Sequence, residues 1–220
     1  MKKIYVLLLT ALALGITGGC GTKEDTPEEA LKDIQTAIAN QDRQLIESRV
    51  DVDKFLNGLY SDVTEELADH VADFHSRYPE DPYFWNTPQF IRKYNEDHRG
   101  FYMSFVNASV DAYFNPELQP DNFLNIFAIQ CAKEYKNLCA AMNTKVSKAT
   151  IEGDHATIDF ELTGDETPYG EFLGNLKFKF GFDKDNEGRW HLNKIENLGE
   201  MMPALVDKAE LIWPETILEI

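Results

Sequence analysis

Residues 176–182 read Leu176-Lys177-Phe178-Lys179-Phe180-Gly181-Phe182. Every second side chain is large and apolar, the pattern of a strand with one face on a core and the other in water. The same period runs through His155–Thr163, where Ala156, Ile158, Phe160 and Leu162 face one way. Lys145–Ile151 is the strand expected before it. Trp190 and Leu192 continue a fourth strand after the polar turn Asp183–Gly188. Consecutive strands of this kind predict a four-stranded antiparallel sheet.

Upstream the period changes from two to that of a helix. Thr26-Pro27-Glu28-Glu29 is a helix start: a threonine cap, proline at the first helical position and glutamate three residues after the cap. Ala30, Leu31, Ile34, Ala37 and Ile38 then form one stripe, closed by Asn40-Gln41-Asp42. A shorter helix carries Leu45, Ile46 and Val50. After Asp51-Val52-Asp53, helical spacing holds from Leu56 to Phe74 through Leu59, Tyr60, Val63, Leu67, His70 and Val71. Thr87-Pro88 repeats the threonine–proline start. His98, Phe101, Tyr102 and Phe105 follow as expected core positions, with Gly100 a weak point. Asp121 is the expected cap of a fifth helix bearing Cys131 and Leu138. A last helix, with Met202, Leu205, Val206, Ala209 and Ile212, is expected to end before Pro214. About five helices followed by strands and a C-terminal helix make an α+β chain. It reads as one domain over 26–220 with a helical elaboration at 53–140.

Residues 1–19 carry Lys2 and Lys3 and then an apolar stretch from Ile4 to Thr17, which at 14 residues is short of the roughly 20 that a membrane-spanning helix needs. Gly18-Gly19-Cys20 resembles the bacterial lipobox, with Thr17 where leucine is usual. That likeness implies a signal peptide at 1–19, lipid on Cys20 and a tether over 20–25. The membrane would then be a partner through that lipid. With Cys20 lipidated, Cys131 and Cys139 remain. Eight helical residues place them about 12 Å apart, beyond the roughly 7 Å a disulfide tolerates, so two thiols are expected unless the helix breaks between them.

Composition narrows the function. Lys and Arg total 21 against 38 Asp and Glu, a balance of −17; loss of residues 1–19 takes two lysines and leaves 19 against 38, or −19. Such a charge excludes general nucleic-acid binding, which needs a basic footprint. It also keeps the folded part off anionic lipid.

The order of parts resembles a known fold. A first helix from Thr26, the break at Asn40-Gln41-Asp42, a short helix ending at Val50-Asp51 and late strands closing on Gly188-Arg189-Trp190-His191-Leu192 resemble the NTF2-like, or cystatin-like, α+β cone. More narrowly, they resemble exported lipoproteins carrying such domains. The likeness covers 26–50 and 143–196; the long helical stretch at 53–140 departs from it. It implies a curved sheet around the first helix and a pocket, which some members use for isomerase or dehydratase chemistry. No position here matches their catalytic motif, and other members are binding or assembly modules.

Candidate chemistry is sparse. Glu66, Asp69, His70, Asp73 and His75 are the densest set of possible metal ligands, but His70 sits within an apolar stripe where a core histidine is the expected outcome, so no metal site is assigned. Asp183–Gly188 has Lys194 where a calcium loop needs its twelfth-position acid, and reads as a hairpin turn. His155 and His191 are expected on the outer face of the sheet, solvated. No nucleophile elbow or phosphate loop occurs, and no cofactor is implied. Aromatics are the informative residues: 12 of the chain's 26 fall between Phe74 and Phe114. Tyr83, Phe84 and Trp85 lie in a proline-flanked loop, off any helical stripe, and are the candidate ligand-binding residues. Packing of that loop onto the helices is the alternative. The expectation is a lipid-anchored, non-enzymatic accessory module of a bacterial cell envelope that binds a small apolar ligand or a protein. An NTF2-like pocket enzyme, and an inhibitor or assembly factor for a cationic protein, are the alternatives.

Overall fold

The computed structural model describes residues 25–216, and side chains as far as residue 210. Signal, lipidation and most of the tether, including Cys20, lie outside the described residues.

Helix α1 (Pro27–Asn40) starts as its sequence dictates: the Thr26 side chain accepts the Glu29 N–H and Pro27 fills the first turn. It stops at Gln41, whose φ of 55° returns the cap N–H to the last carbonyls. Asp42 caps α2 (Arg43–Glu47) and Asp51 caps α3 (Val52–Asp69). The long helix expected through Phe74 is broken at His70, and α4 (Val71–Arg77) follows. No proline or glycine marks that break. A 3-10 turn (Pro82–Trp85) leads to α5 (Pro88–Phe114), capped by Thr87 and unbroken at Gly100. Helix α6 (Phe123–Ala140) is capped by Asn122, one residue after the expected Asp121.

Five strands follow rather than four. The expected strand Lys145–Ile151 is two: β1 (Met142–Val146) and β2 (Thr150–Glu152), both antiparallel to β3 (His155–Gly164) along one edge. Between them residues 147–149 leave the ladder. Ser147 still bonds Asp159, and the Ala149 N–H is taken instead by Glu28. Helix α7 (Pro168–Leu173), absent from the sequence reading, joins β3 to β4 (Asn175–Lys184), and β5 (Trp190–Ile195) completes an open sheet in the order β1-β3-β4-β5. The far edge is partly covered, because Leu192 donates to the Arg49 carbonyl and Val50 bridges to Leu192. Helix α8 (Leu198–Thr216) passes Pro214 instead of stopping before it; a proline near a helix end removes few bonds.

One face of the sheet carries the core: Ile158, Phe160, Phe178, Phe180, Phe182 and Trp190 are all buried beneath α1, α3 and α8. The α+β class therefore holds, with eight α-helices and five strands among the described residues. Helices α5 and α6 form a hairpin on the outside of this helical layer, packed mainly on α3. Tyr113, near the end of α5, donates to the Ile38 carbonyl at the C-terminal end of α1.

Candidate functional site

The loop singled out by its aromatics is disassembled by the fold. Asp81 accepts the Tyr83 N–H and starts the 3-10 turn, which sends three consecutive rings in three directions. Phe84 is buried against Phe74 and Tyr78, at 5.3 and 6.3 Å between ring centres. Tyr83 is half-buried and donates to the Asn95 side-chain oxygen at 3.2 Å; burial pushes its phenol well above the usual tyrosine range. Trp85 alone points out, 61% exposed, its indole N–H held by the Pro79 carbonyl at 2.6 Å. Phe84 is thus a core residue, and the loop contributes Tyr83 in part and Trp85 fully to any surface.

The exposed aromatic surface continues on α5, where sequence reading expected core. Phe90 is 46% exposed and stacks on Tyr94, which stacks on His98 with ring centres 4.1 Å apart and planes at 20°. Tyr83 meets Tyr94 edge-on at 6.3 Å, joining loop to helix. Further along, Phe101 is exposed and Phe105 only half-buried; of the four expected core residues only Tyr102 is buried. The side of α5 that enters the protein keeps Ile91 and Tyr102 but otherwise runs through Asn95, Val106 and Ser109. Asn95 makes this possible. Its amide donates to Thr64 and its carbonyl accepts from Tyr60, so a fully buried polar residue is satisfied.

His98 is chemically defined. Its Nδ1 lies 2.8 Å from the Tyr94 carbonyl, an acceptor only, so Nδ1 carries the proton and Nε2 is the ring's other polar atom. Phe90, Tyr94 and His98 thus form a stacked aromatic ledge on α5, and Trp85 stands exposed on the turn that precedes it, held by its own backbone hydrogen bond. Rigid aromatics of this kind lose little entropy when covered.

Glu66 and Asp73 approach His70 only to 3.6 and 3.9 Å, and His70 sits half-exposed at the helix break, not in the core. Among the described residues no three His, Cys, Asp or Glu side chains are placed to hold a metal ion. His155 and His191 face outward but are paired, not merely solvated. His155 lies 2.8 Å from Asp183 and 3.3 Å from Glu196, and His191 lies 3.0 Å from Asp185. Asp185 accepts the N–H groups of Glu187 and Arg189, which hold its carboxyl far below the usual range and make the turn an acidic hairpin. A cavity of about 30 Å³ lies among Ile38, Val50, Phe55, Val110, Phe114 and Tyr135. That is space for water-sized molecules, against the roughly 300 Å³ or more of a small-molecule site. Its lining comes from the helical side, with no strand residue. Cys131 and Cys139 are free thiols on one unbroken helix.

Comparison with known proteins adds nothing to this list. The chain matches no family model, no curated protein and no solved structure.

Proposed function

We propose that this chain is an exported accessory protein of a bacterial cell envelope, anchored by lipid on Cys20, with an NTF2-like arrangement of sheet and first helix. Its work is binding, and the contact surface is the ledge of Trp85, Phe90, Tyr94 and His98. The observation that carries the reading is the exposure of Trp85, Phe90 and His98, with the half-buried Tyr94 stacked between the last two and Trp85 held by a backbone hydrogen bond. A flat ledge suits a protein better than a small molecule, which takes a concave site. The acidic charge of the chain favours a partner with a basic rim around an apolar centre.

The test is a photo-crosslinking residue placed at position 85 or 90 of the full chain in cells, with Lys177 on the far side of the sheet as control. A discrete adduct from 85 and 90, lost when Tyr94 and His98 are both changed to serine and weakened by salt, is the expected result. Labelling no stronger than at 177 would sink the proposal.

A further inference from the structure

We infer that a second copy of this chain docks on the α5/α6 hairpin, at the opposite end of the aromatic surface from Trp85. Phe101, Phe123 and Ile126 are 53%, 64% and 52% exposed. They are not scattered: Phe105 lies 4.9 Å from Phe101, 6.4 Å from Phe123 and 4.8 Å from Phe127, so rings from both helices form one continuous patch. With about 200 Å² per large side chain, these three residues alone leave roughly 300 Å² of apolar surface in water. Phe105 and Phe127 enlarge it. A standard interface covers about 800 Å² per partner, of which about two thirds is apolar in homodimers. The patch supplies much of that apolar share.

Two further features select a copy of this same chain. Gly100, Ser104 and Ala108 recur every four residues beside Phe101 and Phe105, giving α5 a strip of small side chains along the patch. Apart from the helix's own backbone there, no atom of the described residues lies within 4 Å of where a Cβ on Gly100 would sit, so a facing helix can approach closely. Aromatic ridges beside a shallow strip are self-complementary: a two-fold axis lays the ridges of one hairpin on the strip of the other.

Charge points the same way. The chain carries −17, so two copies repel over most of their surfaces. Residues 88–140 hold five Lys and Arg against six Asp and Glu, or −1. On the near-neutral hairpin two such acidic molecules meet without that penalty. This inference is independent of what binds at Trp85.

The experiment uses the full chain in its membrane, with single Gly100→Cys, Ser104→Cys or Ala108→Cys substitutions, oxidised and run on a non-reducing gel. Lys177→Cys and the unsubstituted chain are the controls. At least one of the three positions is expected to give mostly disulfide-linked dimer. Adding Phe101→Asp with Phe123→Asp is expected to cut that yield about tenfold. Those side chains are exposed, so the fold is expected to survive; should the double variant melt early, Ile126→Asp alone serves the same purpose. If none of the three positions exceeds Lys177→Cys, or if the aspartates leave the yield unchanged, the inference is overturned. A failure here with adducts still formed from position 85 would leave the binding proposal standing.

Discussion

The carboxylate of Asp25 lies 2.7 Å from the guanidinium of Arg49, and its second oxygen accepts the Trp190 backbone N–H at 2.7 Å. Arg49 also reaches Asp33 at 2.8 Å. Asp25, just ahead of α1, and Arg49, just after α2, therefore together tie α1, the end of α2 and the first residue of β5. In the anchored protein proposed above, this is where a pull on the lipid would enter the fold.

Asp25→Ala is expected to cost roughly 1–2 kcal/mol near neutral pH, the worth of charge-assisted hydrogen bonds discounted for partial exposure. Burial disfavours the carboxylate, but the bonds from Arg49 and Trp190 outweigh it, and the folded-state pKa is lowered. A lowered pKa gives stability that is complete above the unfolded value of about 3.9 and fades as pH falls through the folded one. The gap in urea midpoint between wild type and Asp25→Ala should thus be full at about pH 7 and shrink progressively below about pH 4. A gap that stays constant down to about pH 2 would contradict this account.

Phe84 and Trp85 are adjacent and should behave oppositely. Phe84→Ala empties a fully packed position and is expected to cost about 3–5 kcal/mol. Trp85→Ala removes a mainly solvated ring and is expected to cost under about 1 kcal/mol. Thermal melts of the two variants check this; similar losses would mean that the loop packs as one unit.

Much of the architecture was legible where a residue has a strong local reason. Thr26-Pro27 and Thr87-Pro88 both start helices, and the alternating phenylalanines of β4 all face the core. The same threonine–proline signal at Thr167-Pro168 starts α7, and reading it a third time would have found that helix. The break at His70 carried no such mark. The face of α5 was misread because a stripe of apolar residues and the face that is buried need not coincide. Asn95 and Ser109 lie on the buried side, satisfied by Thr64, Tyr60, Tyr83 and the Phe105 carbonyl, while Phe90 and Phe101 lie outside. Tertiary partners decide that choice, and spacing within one helix does not contain them. The candidate loop residues were likewise marked by type but separated by a turn whose geometry depends on Asp81.

The two thiols of α6 should be inert. Burial pushes Cys131 up to about 11 and Cys139 up to about 12, so neither forms appreciable thiolate in ordinary buffers. In a Cys20→Ser chain, a disulfide reagent at about pH 8 is expected to find no thiol in the native protein and both in denaturant. Rapid native reaction would show that α6 opens.

Tyr113 and Tyr135 pack edge-on, 4.8 Å apart, yet their hydroxyls differ. Tyr113 donates to the Ile38 carbonyl at 2.7 Å, whereas the buried Tyr135 hydroxyl meets no oxygen or nitrogen partner among the described residues and has only the weak Cys139 thiol beside it. Tyr113→Phe removes that bond while the carbonyl keeps the Gln41 N–H, and is expected to cost about 1 kcal/mol. Tyr135→Phe removes a buried hydroxyl with only a weak sulfur neighbour and should be near neutral, within about 1 kcal/mol. Denaturation curves with the two effects reversed would overturn the assignment.

The interruption at residues 147–149 has a consequence for how the molecule fails. An open sheet presents two rims of backbone donors and acceptors, and a long, flat rim is a template for strand addition and cross-β growth. On one rim β1 and β2 are only five and three residues long, parted where Glu28 caps the Ala149 N–H. On the other, Arg49 and Val50 occupy part of β5. Neither rim offers an incoming strand an uninterrupted row. Many copies can therefore crowd together with little risk of seeding amyloid through this sheet.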